Sequence, residues 1–517
     1  MTKVNLDAIV PREDFQVSDI EDSGRGGKTQ TIQIRDLEKT SFFFNVIRKP
    51  DFQRETNEWD PKRICALIES FVDGDLIPAI ILWRNAGSYT FVLDGSHRIS
   101  ALAAWVNNDY GDGEISKKFY DGVISEDQLK IAEETRVLIR KKIGPYSDYK
   151  LALEHPEKVD ESIQKRAMKL GTLALQLQWV DGDAEKAEAS FFKINQSAAP
   201  INQTEIYLLQ KRKKANGLAA RAIIRSGTGH KYWSIFNQQN KLQTEEIAKE
   251  INKILFIPPL KNPIKTLDLP LGGKIFSTHA LSLILDFVNI VNKITEDDES
   301  LLDDLDGTQT IEFLRNCQKV ARRINSDHPS SLGLHPAVYF YSRDGRYKSA
   351  SFYATVALML EFENQNLAKD FISVREKFEK FLIDYDFFIP QIVRRYRSAL
   401  GSHTHVKDFY LKVIKMLKEQ KSNEEMVKEL TNDPEFKYLT TQVEEKVTDA
   451  IDFTREVKSE VFLTQALKSA LKCQICKGYI HSHSIQFDHI QRKSEGGMGT
   501  VENAQLSHPY CNTTIKH

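Results

Sequence analysis

The hydrophobic pattern changes its period several times along the chain. Near the start TIQIRDL alternates apolar and polar residues, the period of a half-buried strand. In DPKRICALIESFVDG the period lengthens: Ile64, Leu67, Ile68 and Phe71 share one helical face. Asp60 can cap that helix, Pro61 suits its first position and Gly74 closes it. LIPAIILW and YTFVL predict two strands separated by turn residues Asn85 to Ser88. After Leu93 comes Asp94-Gly95-Ser96-His97-Arg98, followed by Ile99, Leu102, Ala103 and Val106 at helical spacing, so this polar run sits where a strand hands over to a helix. LALQLQWV predicts another strand, and AEKAEASFFKINQS a helix running into a loop.

Residues 226–455 are mostly helical in pattern, from amphipathic segments such as THALSLILDFVNIVNKI and FYATVALMLEF. AVYFYSRDGRYK interrupts them as a hairpin with an Asp344-Gly345 turn. The charged stretch 404–455, with Ser422 and Glu425 spaced as a capping box, predicts a helical stalk or connector. There is no internal repeat. These patterns give an α+β multidomain chain: a flexible, glycine-rich arm at 1–30, a mixed domain at 31–225, a mainly helical middle at 226–455 and a last module at 456–517.

Composition narrows the class. The 517 residues suffice for about three domains, and 28 Phe with 17 Tyr exclude a wholly disordered chain. No apolar stretch approaches the ~18 residues of a membrane span, and MTKVNLDAIVPREDF has no signal-peptide pattern, so a cytoplasmic protein is expected. Lys and Arg (71) balance Asp and Glu (72), which argues against coating DNA along the whole length but allows a local basic groove. Gly27-Lys28-Thr29 lacks the glycine that a phosphate loop needs five positions earlier, where Asp22 stands.

Five cysteines without a secretory signal do not suggest a disulfide framework. Cys65 falls in an apolar helix pattern and reads as a small buried hydrophobe. Cys473-x2-Cys476 and His508-x2-Cys511, with 31 residues between them, have the spacing of a closed tetrahedral Cys3His zinc site. Such a site would hold together a module too small for much core. His481 and His483, in HSHS, read as an exposed strand or loop.

Between the cysteine pairs lie IQFDHIQRKSEGG, Glu502-Asn503 and His508-Pro-Tyr-Cys511-Asn512. This arrangement closely resembles the HNH, or ββα-metal, endonucleases. The resemblance implies that His489 is the general base activating water, that Asp488 and Asn512 hold a catalytic divalent metal, and that Asn503 orients His489. The residue chemistry agrees. Phosphodiester hydrolysis needs a base near neutral pKa and a hard cation, and a carboxylate with an amide oxygen suits Mg²⁺ while thiolates suit zinc. Only six residues follow Cys511, room for under two helical turns at Asn512.

Asp94-Gly95-Ser96-His97-Arg98, together with Pro50-Asp51-Phe52-Gln53-Arg54, Trp59 and IPAIIL, resembles the ParB/sulfiredoxin-like superfamily. The members with DGQQR or DGQHR motifs include parts of GmrSD-type and SspE-type restriction proteins. FFKINQSAAPINQTEI is similar to a later segment of the same family. The resemblance implies a nucleoside triphosphate site made by Gln53, Arg54, Asp94, Gly95, Ser96, His97 and Arg98. Backbone amides at a helix start bind phosphate, and arginines pair with it.

Three basic and aromatic clusters are further candidates for DNA contacts: Lys211 to Lys214; Arg394, Arg395 and Arg397 around Tyr396; and the hairpin set Tyr339, Tyr341, Arg343, Arg346, Tyr347 and Lys348. The leading expectation is a metal-dependent HNH DNA endonuclease of restriction or anti-phage defence, regulated by an N-terminal nucleotide-binding sensor. Its cofactors would be structural Zn²⁺, catalytic Mg²⁺ or another divalent ion, and a nucleoside triphosphate. DNA is the expected partner, with no membrane and with oligomer formation left open. The alternative is a ParB-like regulator of DNA modification whose zinc module only binds DNA.

Overall fold

The computed structural model describes residues 3–13, 27–50, 53, 56–85, 89–120, 122, 124, 126–184, 186–187, 190–191, 193–194, 211–227, 232–233, 235–274, 280–295, 301–441 and 452–515. The chain divides into two compact units, Met1–Arg212 with Gly229–Ser234, and Lys213–Thr228 with Ile235–His517. Apart from Gly229–Ser234, the expected middle and last modules lie in the same unit.

The first unit is mixed α/β. Its strands are β1 (Arg12–Glu13), β2 (Thr31–Gln33), β3 (Ile47–Pro50), β4 (Ile80–Arg84), β5 (Thr90–Asp94) and β6 (Ala174–Trp179), joined in the order β1-β3-β5-β4-β6-β2. β4 and β5 pair antiparallel, with Leu82 opposite Val92, while β3 runs parallel to β5 and β4 parallel to β6. The Asn85 side chain closes the β4–β5 turn by accepting from Tyr89 N at 2.9 Å. Helix α1 (Pro61–Asp73) starts as its sequence predicts, with Asp60 accepting from Arg63 N, and ends at Gly74 with φ +87°. Helix α2 (Ser96–Asn107) is buried on more than the predicted face: Ile99 through Trp105 are all inside. Its three small alanines let neighbouring elements close around it.

Two expectations need correction here. TIQIRDL continues as a strand only to Gln33 and then turns into a short tight helix, Ile34–Leu37, which buries Ile34 and Leu37. Residues 4–13 of the expected flexible arm are core, whereas residues 27–30 are exposed. Val4, Leu6, Ile9 and Val10 are buried, and β1 pairs parallel with β3. Burying these apolar side chains offsets the cost of ordering the segment.

Among the described residues, the second unit is helical apart from one β ribbon. Helices α3 (Ser349–Gln365), α4 (Ala368–Asp384) and α5 (Ala399–Lys418) form part of its core, and α3 packs extensively on α5. Val406, Phe409, Tyr410 and Val413 of α5 are buried, so the first part of the expected stalk is bundle core. Ser422 and Glu425 do form the capping box. The expected hairpin around Asp344-Gly345 shrinks to a single bridge between Tyr341 and Tyr347, preceded by a short helix at Pro336–Tyr339. Strands β7 (Gln486–His489) and β8 (Ala504–Ser507) make the ribbon. Among the described residues no helix is long and apolar enough to cross a membrane.

Candidate functional site

Cys473, Cys476, His508 and Cys511 converge, all buried, with their ligand atoms within 4.8 Å of one another. A tight turn makes the first pair possible: Lys477 N donates to Cys473 O and Cys473 N to Gly478 O, both at 2.9 Å, with Lys477 at φ +59°. His508 Nε2 donates to the Tyr479 carbonyl at 3.0 Å, which turns Nδ1 toward the sulfurs, 3.3 Å from Cys476 Sγ. Hydrogen bonds from Cys476 and Cys511 hold the Cys473 thiol well below its ordinary range, and the same crowding pushes Cys476 up to about 11. Three thiol sulfurs and one imidazole nitrogen this close fit a tetrahedral zinc ion, whose role would be to cross-link the turn to the chain before Asn512.

β7 carries the next two candidates. Asp488 is buried and accepts from Gln505 Nε2 at 2.8 Å, and His489 ends the strand opposite Ala504. Asn503 braces the chain just past His489: its carbonyl accepts from Ile490 N at 2.8 Å, and its amide exchanges hydrogen bonds with the Gln491 backbone at 2.7 and 3.2 Å. Asn512 Nδ2 donates to Gln486 Oε1 at 3.0 Å. Gln486 and Asp488 stand two positions apart on one strand face, so Asn512 lies along the face that bears the Asp488 carboxylate. This arrangement leaves the Asn512 amide oxygen as its acceptor end, and with Asp488 it offers the hard oxygen donors that suit Mg²⁺. Asn512 itself belongs to a single helical turn, Cys511–Ile515.

In the first unit, the turn between β5 and α2 gathers most of the other candidates. Gly95 adopts φ +97°, and a Cβ there would lie 2.5 Å from Ile80 Cδ1, so only glycine makes this turn without strain. Ser96 Oγ donates to Gln53 Oε1 at 2.9 Å. Arg98 Nη2 binds Asp94 Oδ2 at 2.6 Å and Ala79 O at 3.2 Å, so in this structure the two charged motif residues hold each other. His97 stacks on Trp59 at 5.6 Å, and the Arg63 guanidinium lies 4.8 Å from the Trp59 ring centroid. Arg54, Asp51 and Phe52 lie outside the described residues, as does FFKINQSAAPINQTEI except Phe191, Lys193 and Ile194.

Residues 34–210 match the model of the GmrSD restriction endonuclease N-terminal domain, and residues 473–517 match the model of the HNH endonuclease. The chain joins a GmrSD-type domain to an HNH endonuclease domain. No curated protein and no solved structure matches it. The two domains support DNA-cleaving hydrolase activity of the restriction and defence kind, with DNA as substrate.

Outside these domains, the basic and aromatic clusters divide. Arg394, Arg395 and Arg397 are exposed, and Tyr396 stacks on His405 at 3.7 Å. The hairpin aromatics are not DNA-facing platforms. Tyr339 and Tyr341 are buried, and the Tyr341 and Tyr347 hydroxyls donate to the Pro270 and Leu271 carbonyls. Arg343 is held by the Ile383 carbonyl and Lys348 by Asp386, while Lys214 contacts Leu301 O and Asp303.

Sequence reasoning missed a buried ionic group behind Gln53. Lys49 Nζ contacts Asp7 Oδ1 at 2.7 Å, and Arg12 bonds both Asp7 and the Gln53 carbonyl. The alternation Val4-Asn5-Leu6-Asp7-Ala8 was the signal that this segment packs.

The expectation that His481 is exposed is also corrected: it is 1% exposed. It faces Asp268, His483 and His335, and burial, with His483 beside it, pushes its pKa down to about 4 against the opposing pull of Asp268. In the unfolded chain a histidine titrates near 6.5. Between those values the unfolded state binds more protons, so this contribution is present above about pH 6.5 and is lost as pH falls toward 4. We expect a loss on the order of 3 kcal/mol across that window, removed in His481→Gln. Denaturant unfolding at a series of pH values checks this; parallel stability curves for the two proteins would contradict it.

Proposed function

We propose that the HNH domain hydrolyses DNA phosphodiesters with His489 as general base. The observation that carries the reading is the β7–β8 ribbon, in which Asp488 and His489 pair with Gln505 and Ala504, while Gln486 at the other end pairs with Ser507, the residue before the ligand His508. His489 Nδ1 or Nε2 would accept the proton of the attacking water. Asn503 would keep the His489 backbone in place through Ile490 and Gln491. Asp488 and the Asn512 amide oxygen would hold a divalent cation, which when bound supplies charge stabilisation at the phosphoryl and leaving oxygens. The Cys3His cluster would hold zinc in a structural role. The test is cleavage of DNA by zinc-loaded protein that depends on an added divalent metal. DNA binding without cleavage would favour the regulator reading instead.

We further propose that the first unit has a ParB/sulfiredoxin-like fold and binds a nucleoside triphosphate at the 94–98 turn, with Gln53 and Arg54, and that this binding gates cleavage. The mixed sheet, the glycine-dependent turn into α2 and the Ser96–Gln53 bond support a pre-formed phosphate-binding turn. Arg98 would exchange Asp94 for phosphate on binding, leaving Asp94 to position a metal or water. Gating requires the nucleotide to bind cutting and resting states with different affinity. Arg98→Ala and Asp94→Ala should weaken nucleotide binding about 10- to 100-fold, the cost of one or two charge-assisted hydrogen bonds, and should change the cleavage rate. Titration calorimetry beside cleavage assays decides it. Unchanged binding would return the Asp94–Arg98 pair to a structural role, and weakened binding with unchanged cleavage would refute the gating.

A further inference from the structure

A fully buried ion pair stands against the Cys3His cluster, on residues that lie outside the HNH domain. Arg375 and Glu379 are one turn apart on α4, with side chains 0% and 1% exposed, and Arg375 Nε donates to Glu379 Oε1 at 2.7 Å. The remaining guanidinium nitrogens donate to the backbone of one loop, Nη1 to Leu332 O and Nη2 to Gly333 O at 2.9 Å. Nη1 also lies 3.2 Å from His508 Nδ1. The other Glu379 oxygen accepts from Tyr479 N at 2.8 Å, and the carbonyl of that same Tyr479 accepts from His508 Nε2. The Tyr339 hydroxyl completes the set by donating to Glu379 Oε1 at 3.0 Å.

Packing leaves this set little freedom. A Cβ on Gly478 would sit 2.2 Å from Arg375 Nε, and one on Gly333 would sit 2.5 Å from His508 Cδ2. Burying a charged pair costs several kcal/mol unless its hydrogen bonds are well satisfied, and here they are directed at the two segments that border His508. Three thiolates, a neutral imidazole and a zinc ion together carry one negative charge. Glu379 adds another, so the Arg375 cation offsets a local excess that would otherwise be buried unpaired.

We propose that Arg375 is a positioning residue for the metal centre, acting with Glu379 across the boundary between α4 and the HNH domain. Glu379 fixes the Tyr479 N–H, the carbonyl of the same residue fixes His508 Nε2, and Nδ1 is thereby held toward the cysteines. Arg375 orients Glu379, anchors the 332–333 loop under the His508 ring and balances the charge of the centre. Zinc affinity is then a property of α4 as much as of the four ligands. The inference rests on the reading of the Cys3His cluster as a zinc site.

The test uses the full chain and two readouts besides activity: zinc affinity by competition with a chromophoric chelator, and the absorption spectrum of the Co²⁺-substituted protein. Arg375→Met keeps the volume and removes the charge and donors. It should weaken zinc binding about 10- to 100-fold, the usual effect of removing an outer partner of a metal-bound histidine, and shift the Co²⁺ bands. Arg375→Lys restores charge without the planar fork and should recover only part of the affinity. If Arg375→Met does not fold, the near-isosteric Glu379→Gln should weaken zinc binding in the same direction. Wild-type zinc affinity and an unshifted Co²⁺ spectrum in folded Arg375 and Glu379 variants would overturn the proposal. A wild-type protein that binds no zinc would overturn the zinc reading itself, and the proposal with it.

Discussion

Replacing His489 by alanine is expected to lower DNA cleavage by about 10²- to 10⁴-fold, the range lost when a positioned general base is removed. The fold should survive. β7 is held to β8 by backbone pairing, with His489 opposite Ala504, and a side-chain truncation at the strand end leaves that ladder in place. His489 is not a member of the Cys3His cluster, so zinc content should also be unchanged. The measurement is nicking of supercoiled plasmid at saturating divalent metal, beside zinc stoichiometry and circular dichroism. Near-wild-type nicking by folded, zinc-replete His489→Ala protein would remove His489 from the mechanism.

Cys476→Ser should act in the opposite way, through structure. Cys476 is buried, and its sulfur is 3.3 Å from His508 Nδ1, so its loss opens the cluster on the side where the two pairs meet. Structural zinc contributes on the order of 10 kcal/mol to folding in small zinc modules, far more than the few kcal/mol a typical substitution removes. Zinc stoichiometry should fall and the chain from about residue 456 onward should become protease-sensitive. Cleavage should fall with it, because Asn512 immediately follows a ligand. Far-UV signal from α3, α4 and α5 should be largely retained. Full zinc retention with an intact C-terminal segment would mean that the ligand set is wrong.

These two variants separate the roles assigned to neighbouring residues: one removes chemistry from an intact domain, the other removes the cross-link. The Cys3His cluster is legible from local spacing alone, whereas the role proposed for His489 rests on the resemblance to the HNH endonucleases. The x2 spacing within each pair is visible in the chain itself, and the Cys473–Gly478 turn shapes the first of them. The start and end of α1 were legible for the same reason, since Asp60, Pro61 and Gly74 act within one turn of the helix.

What the sequence hid depends on distant chain segments. Arg375 and Glu379 look like an ordinary i,i+4 surface pair on an amphipathic helix, and their burial is decided by Tyr479, Leu332 and Gly333. Tyr339, Tyr341 and Tyr347 look like a basic hairpin's stacking face, and their hydroxyls are instead satisfied inside the protein. Residues 3–13 read as part of a polar arm because SGRGGKTQ follows closely, although Val4, Leu6, Ile9 and Val10 enter the core and Arg12–Glu13 join the sheet. Periodicity reports which residues want burial, not which segment buries them.

DNA cutting by this chain is proposed to reside in its HNH domain. The deciding measurement is the rate of phosphodiester cleavage by the zinc-loaded chain of residues 1–517, with Mg²⁺ supplied or chelated. It should be run on modified and unmodified DNA, with and without nucleoside triphosphate. At least one substrate should be cleaved, and its cleavage should stop when the divalent metal is chelated under conditions that leave zinc bound. Cleavage of none of these substrates by folded, zinc-replete protein, or cleavage indifferent to the added metal, would contradict this proposal.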